Sequence, residues 1–189
     1  DGLTDLSVTD VSGQRRGIIP YDGRLLIADR NAIYEVALPT TSAGLGQPSF
    51  LFEVESPCDF VVNLESQTQV LYLSSHNDTG DVYRWDGTTL TTENAGAGND
   101  RGILFTYAGE VYLAATNSIK RRNDGEWDVS LALPGGITTF EPSDGIEHQD
   151  VAFVCGNDSG DSDSAKVLQI DGSTVTLSFN PGVPSAGGA

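Results

Sequence analysis

Two loops in this sequence gather oxygen ligands at spacings that suit a hard cation: Asn77-Asp-Thr-Gly-Asp81 and Asn157-Asp-Ser-Gly-Asp-Ser-Asp163. Calcium takes about six to eight oxygens from carboxylates and carbonyls, and a glycine at the bend lets a short loop wrap it. Asp158, Asp161 and Asp163 are therefore the candidate metal ligands, and calcium is the one cofactor the sequence suggests. Neither loop follows the long calcium-loop pattern with its distal glutamate. Asn, Asp, Ser and Gly are also what tight surface turns use, so a plain turn without cofactor is the commoner explanation. Both loops satisfy the Asn-x-Ser/Thr rule, which makes Asn77 and Asn157 candidate glycosylation acceptors in an exported protein.

Other chemistry-bearing residues are thinner on the ground. Arg16 and Arg101 each open an Arg-Gly-Ile run, and two guanidiniums at matching strand starts would hold an anionic ligand; the competing reading is an ion pair with Asp100 or Asp144. Carboxylates are too plentiful for an acid–base pair to stand out. His76 and His148 fall at different points of the pattern described below, so no catalytic residue is assigned. Trp85, Trp127 and the loop at 39 to 48 would offer a sugar stacking surfaces, but tryptophans beside turns read more simply as packing between sheets. Cys58 and Cys155 fall two repeat units apart, whereas a disulfide needs Cα atoms within about 7 Å. Two buried free thiols are expected instead, which fits assembly in a reducing compartment without demanding it.

Charge narrows the partners. The 189 residues carry 27 acids against 10 bases, a formal charge of −17, and such a surface repels nucleic acid. The basic cluster Lys120-Arg-Arg122 reads as a solvated strand face. No apolar run reaches the length of a membrane span, so no membrane insertion is expected. A hydrophobic content of 38% is enough for a real core.

The elements that must position these residues recur. Arg24-Leu-Leu-Ile-Ala-Asp-Arg-Asn31, Val70-Leu-Tyr-Leu-Ser-Ser-His-Asn77, Glu110-Val-Tyr-Leu-Ala-Ala-Thr-Asn117 and Asp150-Val-Ala-Phe-Val-Cys-Gly-Asn157 are alternating strands that each close on asparagine. Asp86-Gly, Asp124-Gly and Asp171-Gly are each followed by a further alternating strand, and Asp-Gly is a favoured two-residue hairpin turn. A step near forty residues, with four short strands and no helix per unit, predicts an all-β fold, a β-propeller of four-stranded antiparallel blades. The expected units are an outer strand of a preceding or closing blade at 1–12, blades at 13–56, 57–99, 100–143 and 144–180, and a flexible tail at 181–189. The surplus strand at 3 to 9 is expected to complete a blade lying upstream in a longer ring; the alternative is an extra edge at ring closure.

The phrases Asp81-Val-Tyr-Arg-Trp-Asp-Gly87 and Lys166-Val-Leu-Gln-Ile-Asp-Gly172 resemble hairpins of propeller repeats in bacterial surface proteins and in tail proteins of phages and archaeal viruses. That resemblance implies a non-enzymatic structural or binding module of a virion tail or extracellular assembly. Its partners would be other protein subunits, with a glycan or receptor as a further contact. The reading from a second class is a carbohydrate-binding or carbohydrate-cleaving propeller.

Overall fold

A computed structural model of the chain describes residues 17–38, 46–75, 80–96, 102–116, 118–137, 139–158, 160 and 164–179. Among them the alternating runs form sixteen strands and no α-helix. The first sheet holds β1 (Gly17–Tyr21), β2 (Arg24–Asp29), β3 (Ala32–Ala37) and β4 (Ser49–Glu53). The second holds β5 (Pro57–Glu65), β6 (Thr68–Ser75), β7 (Asp81–Trp85) and β8 (Leu90–Asn94). The third holds β9 (Ile103–Tyr107), β10 (Glu110–Ala115), β11 (Ser118–Asn123) and β12 (Glu126–Leu131). The fourth holds β13 (Phe140–His148), β14 (Val151–Asp158), β15 (Ser164–Asp171) and β16 (Thr174–Phe179). Every sheet is an antiparallel meander in chain order, and together they make a blade-like all-β arrangement.

One turn sets the faces of each sheet. The first hairpins turn on Asp22 and Gly23, Ser66 and Gln67, Ala108 and Gly109, and Gln149 and Asp150, all with positive φ. Such pairs match the twist of the flanking strands. Counted from the turn, the third and fifth residues of the second strand face the next sheet, and even-numbered residues face the one before, the fourth and sixth in the second sheet and the second and fourth in the third and fourth sheets. Thus Leu26 and Ala28 pack on Leu71, Leu73 and Trp85. Val70 and Tyr72 meet Val111, Leu113 and Trp127. Tyr112 and Ala114 meet Ala152 and Val154. Tyr72, Leu113 and Val154 are at most 1% exposed, and burying each such side chain is worth about 1.5–3 kcal/mol.

First strands converge along one side of the stack, β9 lying against both β5 and β13. Asp59 Oδ2 of β5 accepts the Leu104 N–H of β9 at 2.9 Å. Glycine permits the approach: a Cβ on Gly145 would stand 2.9 Å from the Phe105 ring, and one on Gly17 would stand 2.5 Å from the Phe60 ring. In β5 and β13 the pairing shifts at Pro57-Cys-Asp59 and Pro142-Ser-Asp144, so both first strands bulge at a Pro-x-Asp triplet.

Register corrects several alignments. Asn31 and Asn117 stand eight residues past their turns, whereas Asn157 stands seven past Asp150 and lies within β14. Closing the fourth copy on Asn157 therefore slips it by one, and a one-residue slip reverses every face. Cys155, expected to be buried, is half-buried on the outward face. Gly17 pairs Ala28 and Ile103 pairs Ala114, so Gly17 stands where Ile103 stands rather than with Gly102. The two Arg-Gly-Ile runs are thus one residue out of step.

The Asp-Gly turns also divide. Asp124 and Gly125 make the expected two-residue turn, both with positive φ. Asp86 and Gly87 instead open a four-residue loop, because the Asp86 carboxylate accepts the Thr88 and Thr89 N–H groups at 3.0 and 2.8 Å. In the fourth sheet Asp171 pairs Thr174, which moves the turn to Gly172 and Ser173. The strand at 3 to 9, the loop residues 39–45 and the tail at 181–189 lie outside the described residues.

Candidate functional site

The richest cluster of ionisable groups joins the second sheet to the third. Glu65 ends β5 and Glu93 lies in β8; Arg84 and Tyr72 stand opposite each other on β7 and β6. Arg122 of β11 crosses the gap. Its Nε and Nη2 donate to the two oxygens of Glu93, each at 2.9 Å, and its Nη1 donates to Glu65 Oε1 at 3.1 Å. Arg84 Nη2 donates to Glu65 Oε2 at 2.7 Å, and the Tyr72 hydroxyl donates to Glu65 Oε1. Trp127 Nε1 donates to Glu93 Oε2 at 2.8 Å, and the Arg122 guanidinium lies 5.2 Å from the centre of the Tyr72 ring.

Glu65, Tyr72, Arg84 and Arg122 are each shifted from their ordinary values, Glu65 down and the other three up. Burial alone would raise the Glu65 carboxyl, but the hydrogen bonds from Tyr72 and Arg84 and the charge of Arg122 hold it below the usual carboxylate range. Burial and the Glu65 carboxylate push the Tyr72 phenol up. Desolvation acts to lower both arginines, yet Glu65 raises Arg84 and Glu93 raises Arg122, so both stay charged. A general acid or base needs a proton it can exchange near working pH. The ion pairs of Arg122 with Glu65 and Glu93 tie the third sheet to the second.

Two open clefts flank the cluster at the hairpin-turn end of the stack. One, of about 460 Å³, is lined by Asn63, Glu65, Ser66, Glu110, Arg122 and Asp124. The other, of about 590 Å³, lies between the first and second sheets and is lined by Tyr21, Asp22, Arg24, Gln69, Asp86 and Thr88. The Tyr21 hydroxyl donates to the Gln69 carbonyl at 2.7 Å, and the Asp22 N–H to Gln69 Oε1 at 2.6 Å. Hydrogen bonds from Thr89 and Thr88 keep the Asp86 carboxyl below its ordinary range.

The residues singled out from sequence fare unevenly. Asp158 is fully buried: its Oδ1 accepts the Thr139 and Gly160 N–H groups, each at 3.2 Å, while among the described residues Oδ2 has no hydrogen-bond partner. Asp161, Asp163, Asn77, Arg16, Arg101 and His76 lie outside the described residues. Asn157 and His148 are exposed. Among the described residues no three His, Cys, Asp or Glu side chains are grouped to hold a metal. Cys58 is buried, its thiol donating to the Ser56 carbonyl at 3.6 Å, and Cys155 is half-buried.

Lys120, Arg121 and Arg122 do not form the solvated face expected of them. Lys120 Nζ donates to the Ala95 and Gly96 carbonyls of the neighbouring sheet, Arg121 lies 3.3 Å from Glu110, and Arg122 is the cross-sheet bridge. Both tryptophans are packing residues. Trp85 is 4% exposed against Tyr21 and Phe52, and Trp127 is 7% exposed, so neither presents a ring face to a sugar. Sequence reasoning missed Glu65 and Glu93. The only available signal was the arginine in third strands, at 84 and at 121 to 122.

No protein-family model matches the chain, and no curated protein sequence matches it. The class its fold defines is an all-β stack of four blade-like sheets whose charged groups serve the joints between them.

Proposed function

We propose that the chain is a run of β-propeller blades that works as a non-enzymatic structural and binding module, a scaffold or receptor-contact surface in a larger virion-tail or extracellular assembly. The observation that carries this reading is the use of the best-formed ionisable cluster, Glu65, Arg84, Glu93 and Arg122, as a joint between sheets. Face-to-face stacking of four-stranded meanders with their first strands side by side supports the propeller reading, since such sheets bury their faces only on one another. The phrases at 81–87 and 166–172 support the tail or surface setting.

A glycan array and a panel of glycosidase substrates test it on the purified chain. Neither binding nor turnover is expected. Turnover that disappears in Glu65→Gln would overturn the reading and leave a carbohydrate-cleaving propeller in its place.

A further inference from the structure

The four sheets end on the outer strands β4, β8, β12 and β16, and β16 alone of these lacks charge. Glu53 lies in β4, Glu93 in β8 and Glu126 in β12, whereas β16 reads Thr174-Val-Thr-Leu-Ser-Phe179. A free sheet edge offers its N–H and C=O groups to another strand, and proteins blunt such edges with charge, proline or a bulge. β16 is rich in β-branched and aromatic residues and has only the bulge at Ser178, where Leu168 pairs Leu177 and Val167 pairs Phe179. Among the described residues no strand lies beyond it. Leu177 and Phe179 are 42 and 59% exposed.

Register decides which backbone groups this edge presents. Asp171 pairs Thr174 across the two-residue turn Gly172-Ser173, and the pair that closes such a hairpin exchanges both of its hydrogen bonds. Alternation from that pair turns the backbone groups of Thr174 and Thr176 towards β15 and those of Val175 and Leu177 away from it.

We propose that β16 pairs antiparallel with β16 of a second copy of this chain, about a two-fold axis through Thr176. Val175 then exchanges hydrogen bonds with the partner's Leu177, and Leu177 with the partner's Val175. Thr176 faces the partner's Thr176, and Thr174 faces the partner's Ser178. Apolar residues thus meet apolar ones and hydroxyls meet hydroxyls, the self-complementarity that makes a second copy the occupant. No charge opposes its like along the strand, although each copy carries −17. The bulge bends the strand after Leu177 and confines the pairing to 174–178. Such a contact is isologous and is complete at two copies. It goes beyond the scaffold reading and needs only the fourth sheet, so it stands apart from the propeller.

The test uses the whole chain. Sedimentation over a range of concentrations is expected to show an equilibrium between 20.0 kDa and about twice that mass, shifted towards the dimer by salt, which screens the like charge of the copies. Thr176→Cys, with both native cysteines changed to serine, puts two β-carbons about 4.5–5.5 Å apart across the axis and is expected to form an interchain disulfide on mild oxidation. In the same background Thr174→Cys is expected not to link to itself but to link to a chain carrying Ser178→Cys. Leu177→Pro removes an N–H that points away from β15, where an edge strand tolerates proline. It is expected to weaken association at least about tenfold and to leave the circular dichroism of the monomer unchanged. Leu177→Lys, which keeps the backbone intact, is expected to do the same. In hydrogen exchange the Val175 and Leu177 amides should be protected in the dimer and exposed on dilution, while Thr176 stays protected in both. A chain monomeric at every concentration, a dimer indifferent to both Leu177 variants, or a Thr176→Cys chain that does not link would each overturn the proposal. Protection of the Val175 and Leu177 amides in the monomer would also overturn it, because a segment of the same chain would then hold the edge.

Discussion

Arg122 Nη1 stands 3.1 Å from Glu65 Oε1, so a guanidinium on the third sheet reaches a carboxylate at the end of the first strand of the second. The same arginine grips Glu93 with two further nitrogens, and both its acids also bind other donors. A fork shared between two carboxylates fixes one rotation of the third sheet against the second, which apolar packing alone would leave softer.

Removing the charge of Glu65 should therefore loosen this joint. Glu65→Gln keeps the shape but replaces the carboxylate shared by Arg84 and Arg122 with one neutral acceptor, Arg122 keeping Glu93, and a loss of about 2 kcal/mol in urea unfolding is expected at pH 7. Because the folded carboxyl titrates below the unfolded value of about 4.3, its contribution is complete above that pH and is lost as pH falls through the folded value. The difference between wild type and Glu65→Gln should accordingly shrink between pH 5 and pH 2, roughly. A difference that grows with acid would show that Glu65 is not held ionised.

Much of the stack was legible in sequence, and the reasons that the rest was not are local. The unbroken apolar runs Leu71 to Leu73 and Val111 to Leu113 announce strands buried on both faces, because each residue has its own neighbouring sheet. Alternation cannot say which face is which. That depends on the turn, and anchoring the fourth copy on Asn157 instead of on Gln149 and Asp150 slipped it by one residue. The two bulges hide in the Pro-x-Asp triplets, whose meaning is visible only once the ladder is drawn. Glu65 and Arg122 are 57 residues apart, and no spacing rule pairs them among 27 acids.

Gln67 holds the second position of its hairpin turn at φ 73°, where Gly23 and Gly109 serve in two of the other sheets. A side chain in the left-handed region costs about 1 kcal/mol or more, and glycine does not bear that cost. Gln67→Gly is expected to raise the unfolding free energy by about 0.5–1 kcal/mol, partly offset by the extra freedom of glycine in the unfolded chain. No gain in the urea midpoint would mean that the turn is not of the type described.

Gly145 is small because Phe105 fills the space beside it. An alanine Cβ there would lie 2.9, 3.0 and 3.2 Å from three Phe105 carbons, and Phe105 is only 2% exposed, with no room to retreat. Gly145→Ala should cost about 1–3 kcal/mol through overpacking. The second change Phe105→Leu should recover part of that loss, so a double-mutant cycle must show favourable coupling. Additive losses would place the two residues apart and undo the convergence of β9 and β13.

Asp158 separates the turn reading of its loop from the metal reading. Its Oδ1 accepts two backbone N–H groups, and Asp158→Ala is expected to cost about 2 kcal/mol through the loss of both bonds. Asp158→Asn keeps an oxygen for both donors and removes the charge from the buried Oδ2, so its cost should be under about 1 kcal/mol. The ladder puts Lys166 on the same buried face, opposite Gly156. Calcium is then expected to leave the Tm unchanged, measured by scanning calorimetry in millimolar CaCl2 against EDTA. A calcium-dependent rise that vanishes in both Asp158 variants would instead put a cation on Oδ2.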